Sequence, residues 1–254
     1  MIKKESLSAK VEKEVEVKPL DTKVEKKRIR RKSYSMDLRI QSPASLGYLG
    51  IEGIDTAPAL VRLAKVKGLD VIAVTDFYSG DYIDRITEAA TESPVTVLPG
   101  MVIRAALSAC DDIILMCLFP EYTSSAEVAE ILEELEVPRA ASGDESFIVP
   151  LEFDRVIQII EKHQGIIIPS RMDKTPYRTN ILPVLVEEYG FRAFDLAYYP
   201  ESNKIFKKLW PKIKFQLLSF SNANALAQVG SRVSKVKLPQ PGFPGLRTLI
   251  ERTI

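Results

Sequence analysis

From Met36 onward, short apolar runs rich in β-branched residues alternate with stretches of helical periodicity, and some of the runs are apolar at every position. Val71-Ile72-Ala73-Val74 is one of them. A strand without a polar face is buried on both sides, the habit of parallel sheets covered by helices. Repeated strand–helix alternation therefore predicts a wound or barrel α/β fold. Strands are expected at 36–40, 70–75, 95–98, 101–106, 112–118, 165–169, 193–197, 214–220 and 232–237. Asp55-Thr56 followed by Pro58 opens a helix, and Gly68 closes it. Ser124 with Glu127 forms a capping-box signature ahead of Val128, Ile131, Leu132 and Leu135. Val156, Ile157, Ile159 and Ile160 make an apolar stripe ended by Gly165. Further helices are expected at 179–189, 201–209, 222–228 and 244–252. Residues 138–150 are polar and read as a flexible loop over the barrel mouth.

The net charge of +1 over 254 residues conceals an uneven distribution. Residues 1–35 carry twelve Lys/Arg against six Asp/Glu, and the remaining 219 carry 23 against 28. The basic excess centres on Lys26-Lys27-Arg28-Ile29-Arg30-Arg31-Lys32. The expected organisation is a basic, flexible arm over 1–35 and one barrel domain over 36–254. Val11, Val15 and Val17 alternate with charges, which leaves a short strand in the arm open. The arm suits nucleic acid or an acidic protein partner. Membrane attachment is not expected, because apolar anchors and spanning segments are lacking. The first residues lack the apolar stretch of a signal peptide, and Cys110 and Cys117 fall in or beside one strand, so no disulfide is expected and the expected location is cytoplasmic.

In a β/α barrel the strand ends carry the chemistry. Here they read Asp37-Leu38-Arg39-Ile40-Gln41-Ser42, Val74-Thr75-Asp76-Phe77, Pro99-Gly100-Met101-Val102, Ile168-Pro169-Ser170-Arg171 and Ser221-Asn222-Ala223-Asn224. The chain has one histidine, His163, placed at a helix end where it suits the helix dipole, so a histidine-rich metal centre is excluded by count. No P-loop, Gly-x-Gly-x-x-Gly, Gly-x-Ser-x-Gly or Cys-x-x-Cys occurs, and no cofactor is expected.

The order and spacing of these motifs over about 36–250 resemble the PHP (polymerase and histidinol phosphatase) domain family. Its members open with Asp-Leu-His-x-His-Ser and continue with Gly-Leu-x-x-Ile-Ala-x-Thr-Asp-His. They then carry Pro-Gly-x-Glu, Pro-Ala-His and a closing Ser-Asp-Ala-His. The resemblance implies a distorted seven-stranded, TIM-like β/α barrel holding two or three metal ions and hydrolysing phosphoesters. It also marks nine ligand positions: Arg39, Gln41, Asp76, Phe77, Val102, Ile114, Arg171, Asn222 and Asn224. Only Asp76 keeps a ligating side chain. Arginine repels a cation, and Phe77, Val102 and Ile114 cannot coordinate one. The expectation is a barrel with no catalytic or metal residues, acting as a binding or scaffolding module.

Two readings of the mouth stand. Arg39, Arg171 and Lys174, aided by Tyr177, Asn222 and Asn224, would bind a phosphorylated small molecule or a carboxylate. Alternatively, Arg39 pairs with Asp76, and Arg171 with Asp173 or Asp195, and ion pairs plug the space. The competing function is a phosphoesterase with a rearranged acidic site drawn from Asp37, Asp76, Asp173 and Asp195. Phe206 and Trp210 fit an apolar helix face.

Overall fold

The computed structural model describes residues 31–250 and 252. Apart from Arg31 and Lys32, the basic cluster lies outside the described residues, as do Val11, Val15 and Val17. In chain order the elements are β1 (Lys32–Ile40), α1 (Thr56–Val66), β2 (Val71–Phe77), α2 (Ile83–Ala90), β3 (Thr96–Leu107) and β4 (Cys110–Leu118). They continue with α3 (Ser125–Glu134), α4 (Phe153–Lys162), β5 (Ile166–Ser170), α5 (Pro176–Asn180), α6 (Leu182–Glu187) and β6 (Ala193–Asp195). The last are α7 (Asn203–Leu209), β7 (Gln216–Leu218), β8 (Ser234–Leu238) and α8 (Gly242–Ile250). No helix among the described residues is long and apolar enough to cross a membrane.

All eight strands form one sheet in the order β7-β6-β5-β4-β3-β2-β1-β8, curled into a nearly closed barrel. The resemblance implies seven strands; the eighth, β8, is the strand the residues predict at 232–237, and it lies antiparallel on β1. That pairing draws Lys32–Ser35 into β1, so the strand begins four residues before its expected start. Strands β1, β2, β3, β5, β6 and β7 run one way, and only β4 and β8 oppose them. The carboxyl ends of the parallel strands therefore gather at one mouth.

Alternate residues fill the interior: Met36 and Leu38, Val71 and Ala73, Met116 and Leu118, Ile166 and Ile168, with Leu218 and Phe220. Phe243, Leu246 and Ile250 of α8 pack on this set. A second apolar layer joins the outer faces of β3 and β4 to α3, α4 and α6, and it includes Phe206 and Trp210. A third joins Ile40, Ile72 and Val74 to α1 and α2.

One irregularity decides what reaches the mouth. Between Asp37 and Ile40, β1 carries an extra residue relative to β2, since Asp37 pairs with Ile72 and Ile40 with Val74. Strict alternation after Met36 and Leu38 would turn Ile40 inward and Arg39 outward. The bulge reverses this, putting Ile40 in the outer layer and Arg39 beside Ser170 of β5.

The seam closes without a full strand pair. Ala223 bridges Ile40, with Gln41 N–H donating to the Ala223 carbonyl at 2.7 Å. The Ser219 N–H donates to Ser234 Oγ at 2.8 Å, and that hydroxyl donates back to the Ser219 carbonyl at 3.0 Å. Asp37 bolts the seam by accepting from the N–H groups of Ser221 (3.1 Å) and Gly230 (2.8 Å).

Other departures have local causes. Strands expected at 95–98 and 101–106 are the single β3, because Pro99-Gly100 is not a turn. A Cβ on Gly100 would lie 2.8 Å from the Cys117 carbonyl and 2.9 Å from Thr75, so the glycine serves close strand approach. The helix expected at 179–189 splits into α5 and α6, because Pro183 supplies no N–H to continue the first turn. Only a short 3₁₀ turn, Leu226–Gln228, stands where a helix was expected at 222–228. Helix α2, not expected, lacks a side-chain cap and buries only Ile83 and Ile86. At the end of α4 the left-handed residue is Gln164 (φ 61°), with His163 just before it, 2.9 Å from Glu134. Cys110 and Cys117 are free thiols buried at the two ends of β4.

Replacing Asp37 with alanine leaves two seam N–H groups without their acceptor. The expected cost is about 2–4 kcal/mol, read as a lowered urea midpoint with an unchanged slope.

Candidate functional site

At the mouth lies a cavity of about 230 Å³ lined by Arg39, Phe77, Arg104, Ile114, Glu145, Arg171, Lys174, Arg178 and Asn222. The bulge delivers Arg39, the end of β2 delivers Phe77, and the residues after β5 and β7 deliver Arg171 and Asn222. Arg104 and Ile114 face each other across the β3–β4 ladder. The 138–150 loop lies at the mouth as expected, contributing Glu145, whose backbone carbonyl accepts from Arg104 Nη1 at 2.6 Å.

Arg39 is 3% exposed and Asp195 2%. Arg39 Nη1 donates to Ser170 Oγ at 2.5 Å and lies 3.7 Å from Asp195 Oδ2. Ser170 passes the interaction on by donating to that same carboxylate oxygen. Burial pulls Arg39 down to about 10, with Asp195 opposing the shift and the like charges of Arg171 and Arg178 adding to it. Burial pushes the Asp195 carboxyl up, against the pull of Arg39 and the Ser170 hydrogen bond. At neutral pH Arg39 remains a guanidinium held from two strands.

Asp112 anchors two further cations. Arg178 grips it with Nη2 at 2.8 and 2.7 Å and also donates from Nε to its backbone carbonyl at 2.8 Å. Arg104 Nε reaches the same carboxylate at 2.9 Å. Partial burial works to raise Asp112, but the two arginines outweigh it and hold the carboxyl below its usual range. Arg171 and Lys174 differ: among the described residues neither has a carboxylate within 4.0 Å, while both line the cavity.

Of the sequence-derived positions, the structure brings Arg39, Phe77, Ile114, Arg171, Lys174 and Asn222 together. Val102 is buried in the apolar layer beside Phe77. Gln41 reaches Glu145 only at 3.4 Å, and Asn224 donates from Nδ2 to the Gly47 carbonyl at 3.0 Å, which holds the β1–α1 loop. Tyr177 is exposed and does not line the cavity.

The expected Arg39–Asp76 pair does not form. Asp76 instead accepts from the Ser42 N–H (2.7 Å), Ser42 Oγ (2.5 Å) and Ser45 Oγ (2.6 Å). Burial raises its carboxyl, and the serine bonds oppose the rise. Nor does Arg171 pair with Asp173, which caps the N–H groups of Ala197 and Tyr198 at 2.6 and 2.8 Å and accepts from Ser202 Oγ at 2.6 Å. Asp195 is engaged by Arg39.

Sequence reasoning missed Arg104, Arg178 and Glu145. Arg104 carried a signal, since it lies two residues past Val102 on the same face of β3. Arg178 sits on a five-residue helix whose docking on Asp112 no local pattern announces.

A paired-metal centre does not fit these residues. The wall offers guanidinium, ammonium, phenyl and alkyl groups where a hydrolytic site needs imidazole and carboxylate. Among the described residues no group of three or more His, Cys, Asp and Glu is placed to hold an ion. Asp37, Asp76, Asp173 and Asp195 serve four separate hydrogen-bonding duties and do not converge.

The architecture is that of a PHP-type, TIM-like barrel fold. Solved structures give the likeness its particulars. Endonuclease Q, the lesion-specific endonuclease of Pyrococcus furiosus, is 15% identical with a TM-score of 0.57 over 86% of this chain and 56% of its own. Endonuclease Q in complex with a 27-mer duplex bearing an abasic lesion gives 16% and 0.59 over 85% and 56%. A metal-dependent phosphoesterase from Bifidobacterium adolescentis gives 12% and 0.55 over 84% and 94%. The chain thus spans little more than half the length of Endonuclease Q. Neither a protein-family model nor a curated protein sequence matches it.

Removing Asp195 as Asp195→Ala leaves Arg39 buried without its counter-charge and is expected to cost about 3–5 kcal/mol in urea denaturation. The double replacement Arg39→Met with Asp195→Leu removes both charges and is expected to lie closer to wild type.

Proposed function

We propose that this chain is a divergent PHP-type barrel that has exchanged its metal centre for fixed positive charge, and that it binds a phosphate-bearing ligand at the mouth without cleaving it. The observation that carries this reading is the cavity itself, where Arg171 and Lys174 have no carboxylate partner among the described residues and stand beside a buried, fixed Arg39. Guanidinium and ammonium groups hold phosphate oxygens by charge-assisted hydrogen bonds. They do not ionise water, so binding and cleavage come apart. The rival reading, a hydrolase with a rearranged acidic site, finds no support in four aspartates with separate structural duties. The free thiols of Cys110 and Cys117 suit the reducing cytoplasm.

Isothermal titration with inorganic phosphate at low ionic strength tests the site. One equivalent is expected to bind, with affinity falling about 10- to 100-fold in Arg171→Ala and in Lys174→Ala. Absence of heat with the wild-type chain would remove the reading.

The basic segment ending at Lys32 supplies a second, sequence-independent contact in this proposal, favoured by its charge and by the duplex bound to Endonuclease Q. With about six phosphates contacted, duplex affinity is expected to fall on the order of 10³-fold between 50 and 200 mM salt. Replacing Lys26, Lys27, Arg28, Arg30 and Arg31 with glutamine should flatten that dependence. An unchanged salt slope would place the contact on the barrel.

A further inference from the structure

The mouth cavity carries a charge balance, an unmet hydrogen bond and a strained rim that attraction to negative charge in general does not explain. Its five cationic side chains answer to three carboxylates, since Arg104 and Arg178 share Asp112, Arg39 faces Asp195, and Glu145 lies on the wall. The excess is two positive charges, and the two cations without a carboxylate within 4.0 Å among the described residues are Arg171 and Lys174.

The Asn222 side chain makes no hydrogen bond among the described residues, and its Oδ1 is buried without a partner. The residue itself is half-buried and lines the cavity, so its amide is placed to meet what fills the space. Turned by half a rotation, the same amide offers two N–H donors to phosphate oxygens.

Arg171 and Asn222 both sit in left-handed backbone, at φ 52° and 53°. Asparagine takes up that region readily, whereas arginine does so uncommonly, so of the two it is Arg171 whose placement runs against local preference. Arg104 and Arg178 are fixed on Asp112 and add to the field, while Arg171, Lys174 and Asn222 remain free to make contacts. The cavity is also smaller than the roughly 300–1,000 Å³ usual for a small-molecule site.

Resting on the phosphate-binding reading above, we propose that the cavity selects a small phosphomonoester in its dianionic form, whose two charges match the excess at Arg171 and Lys174 and whose oxygens meet the Asn222 amide. A phosphodiester carries one charge too few to match that excess. A dicarboxylate has the charge but spreads it over two planar groups.

The test is isothermal titration of the full chain at pH 8 with methyl phosphate, dimethyl phosphate and succinate. Methyl phosphate is expected to bind at least about tenfold tighter than either of the others. Equal affinity for the monoester and the diester overturns the dianion inference and leaves phosphate binding standing. Equal affinity for succinate shows that the cavity counts charge without reading phosphate, and overturns the class. No binding of any probe overturns this inference together with the reading it rests on. A 5′-phosphorylated thymidine dinucleotide binding as tightly as methyl phosphate makes a strand end the source and overturns the small-molecule assignment. Asn222→Gly accommodates the left-handed backbone and removes the side chain with its amide. Its melting temperature is expected to hold while methyl phosphate affinity falls several-fold, and unchanged affinity would strike Asn222 from the site.

Discussion

A guanidinium buried in a barrel has to be held from more than one side, and the mouth of this protein is organised around that requirement. Arg39 leaves β1 and meets Ser170 at the end of β5 and Asp195 at the end of β6, so three strands separated in sequence are tied at one level. The interaction is electrostatically demanding, because neither ion has water to fall back on. It therefore fixes the height at which β5 and β6 end, and with that the placement of Arg171. The bulge that turns Arg39 inward is the backbone condition for the whole arrangement.

The second constraint is the distribution of carboxylates. Each buried aspartate near the mouth has a structural role, with Asp37 at the seam, Asp76 in the serine nest of the β1–α1 loop and Asp195 against Arg39. Asp173, less buried, gathers the turn after β6. A metal-binding barrel points such groups at ions. Here they point at backbone N–H groups, hydroxyls and one guanidinium, and the remaining positive charge faces the cavity. Fixed cations hold an anion in a set geometry, but a bound metal also lowers the pKa of a coordinated water. On the reading proposed above, that difference separates binding from hydrolysis on the same scaffold.

Much of the fold was legible because several strands contain continuous apolar stretches, such as 71–74 and 113–118, and α1, α3 and α4 carry caps or stripes. Legibility failed where tertiary contact overrode a local signal. Pro99-Gly100 looks like a break but lies inside β3, since the glycine is needed for strand approach. Helix α2 shows little in sequence, because two buried isoleucines and no cap are a weak local pattern. In the site, strand-end positions could be found from motif spacing, whereas the partners of the charges could not. Arg39 chose Asp195 over Asp76 because a loop serine pair claimed Asp76 first, and the convergence of Arg104 and Arg178 on Asp112 joins residues 66 apart in sequence for the longer pair.

The bulge in β1 has a consequence for what the scaffold tolerates. Because an extra backbone residue, rather than the nature of the side chain, sends position 39 inward, that position works as a socket. Whatever is plugged in there arrives at the mouth between β5 and β6, whether it donates protons, carries a charge or ligates an ion. Where position 39 points is thus set by the backbone, while what can stand there is set by Ser170 and Asp195, the groups it meets.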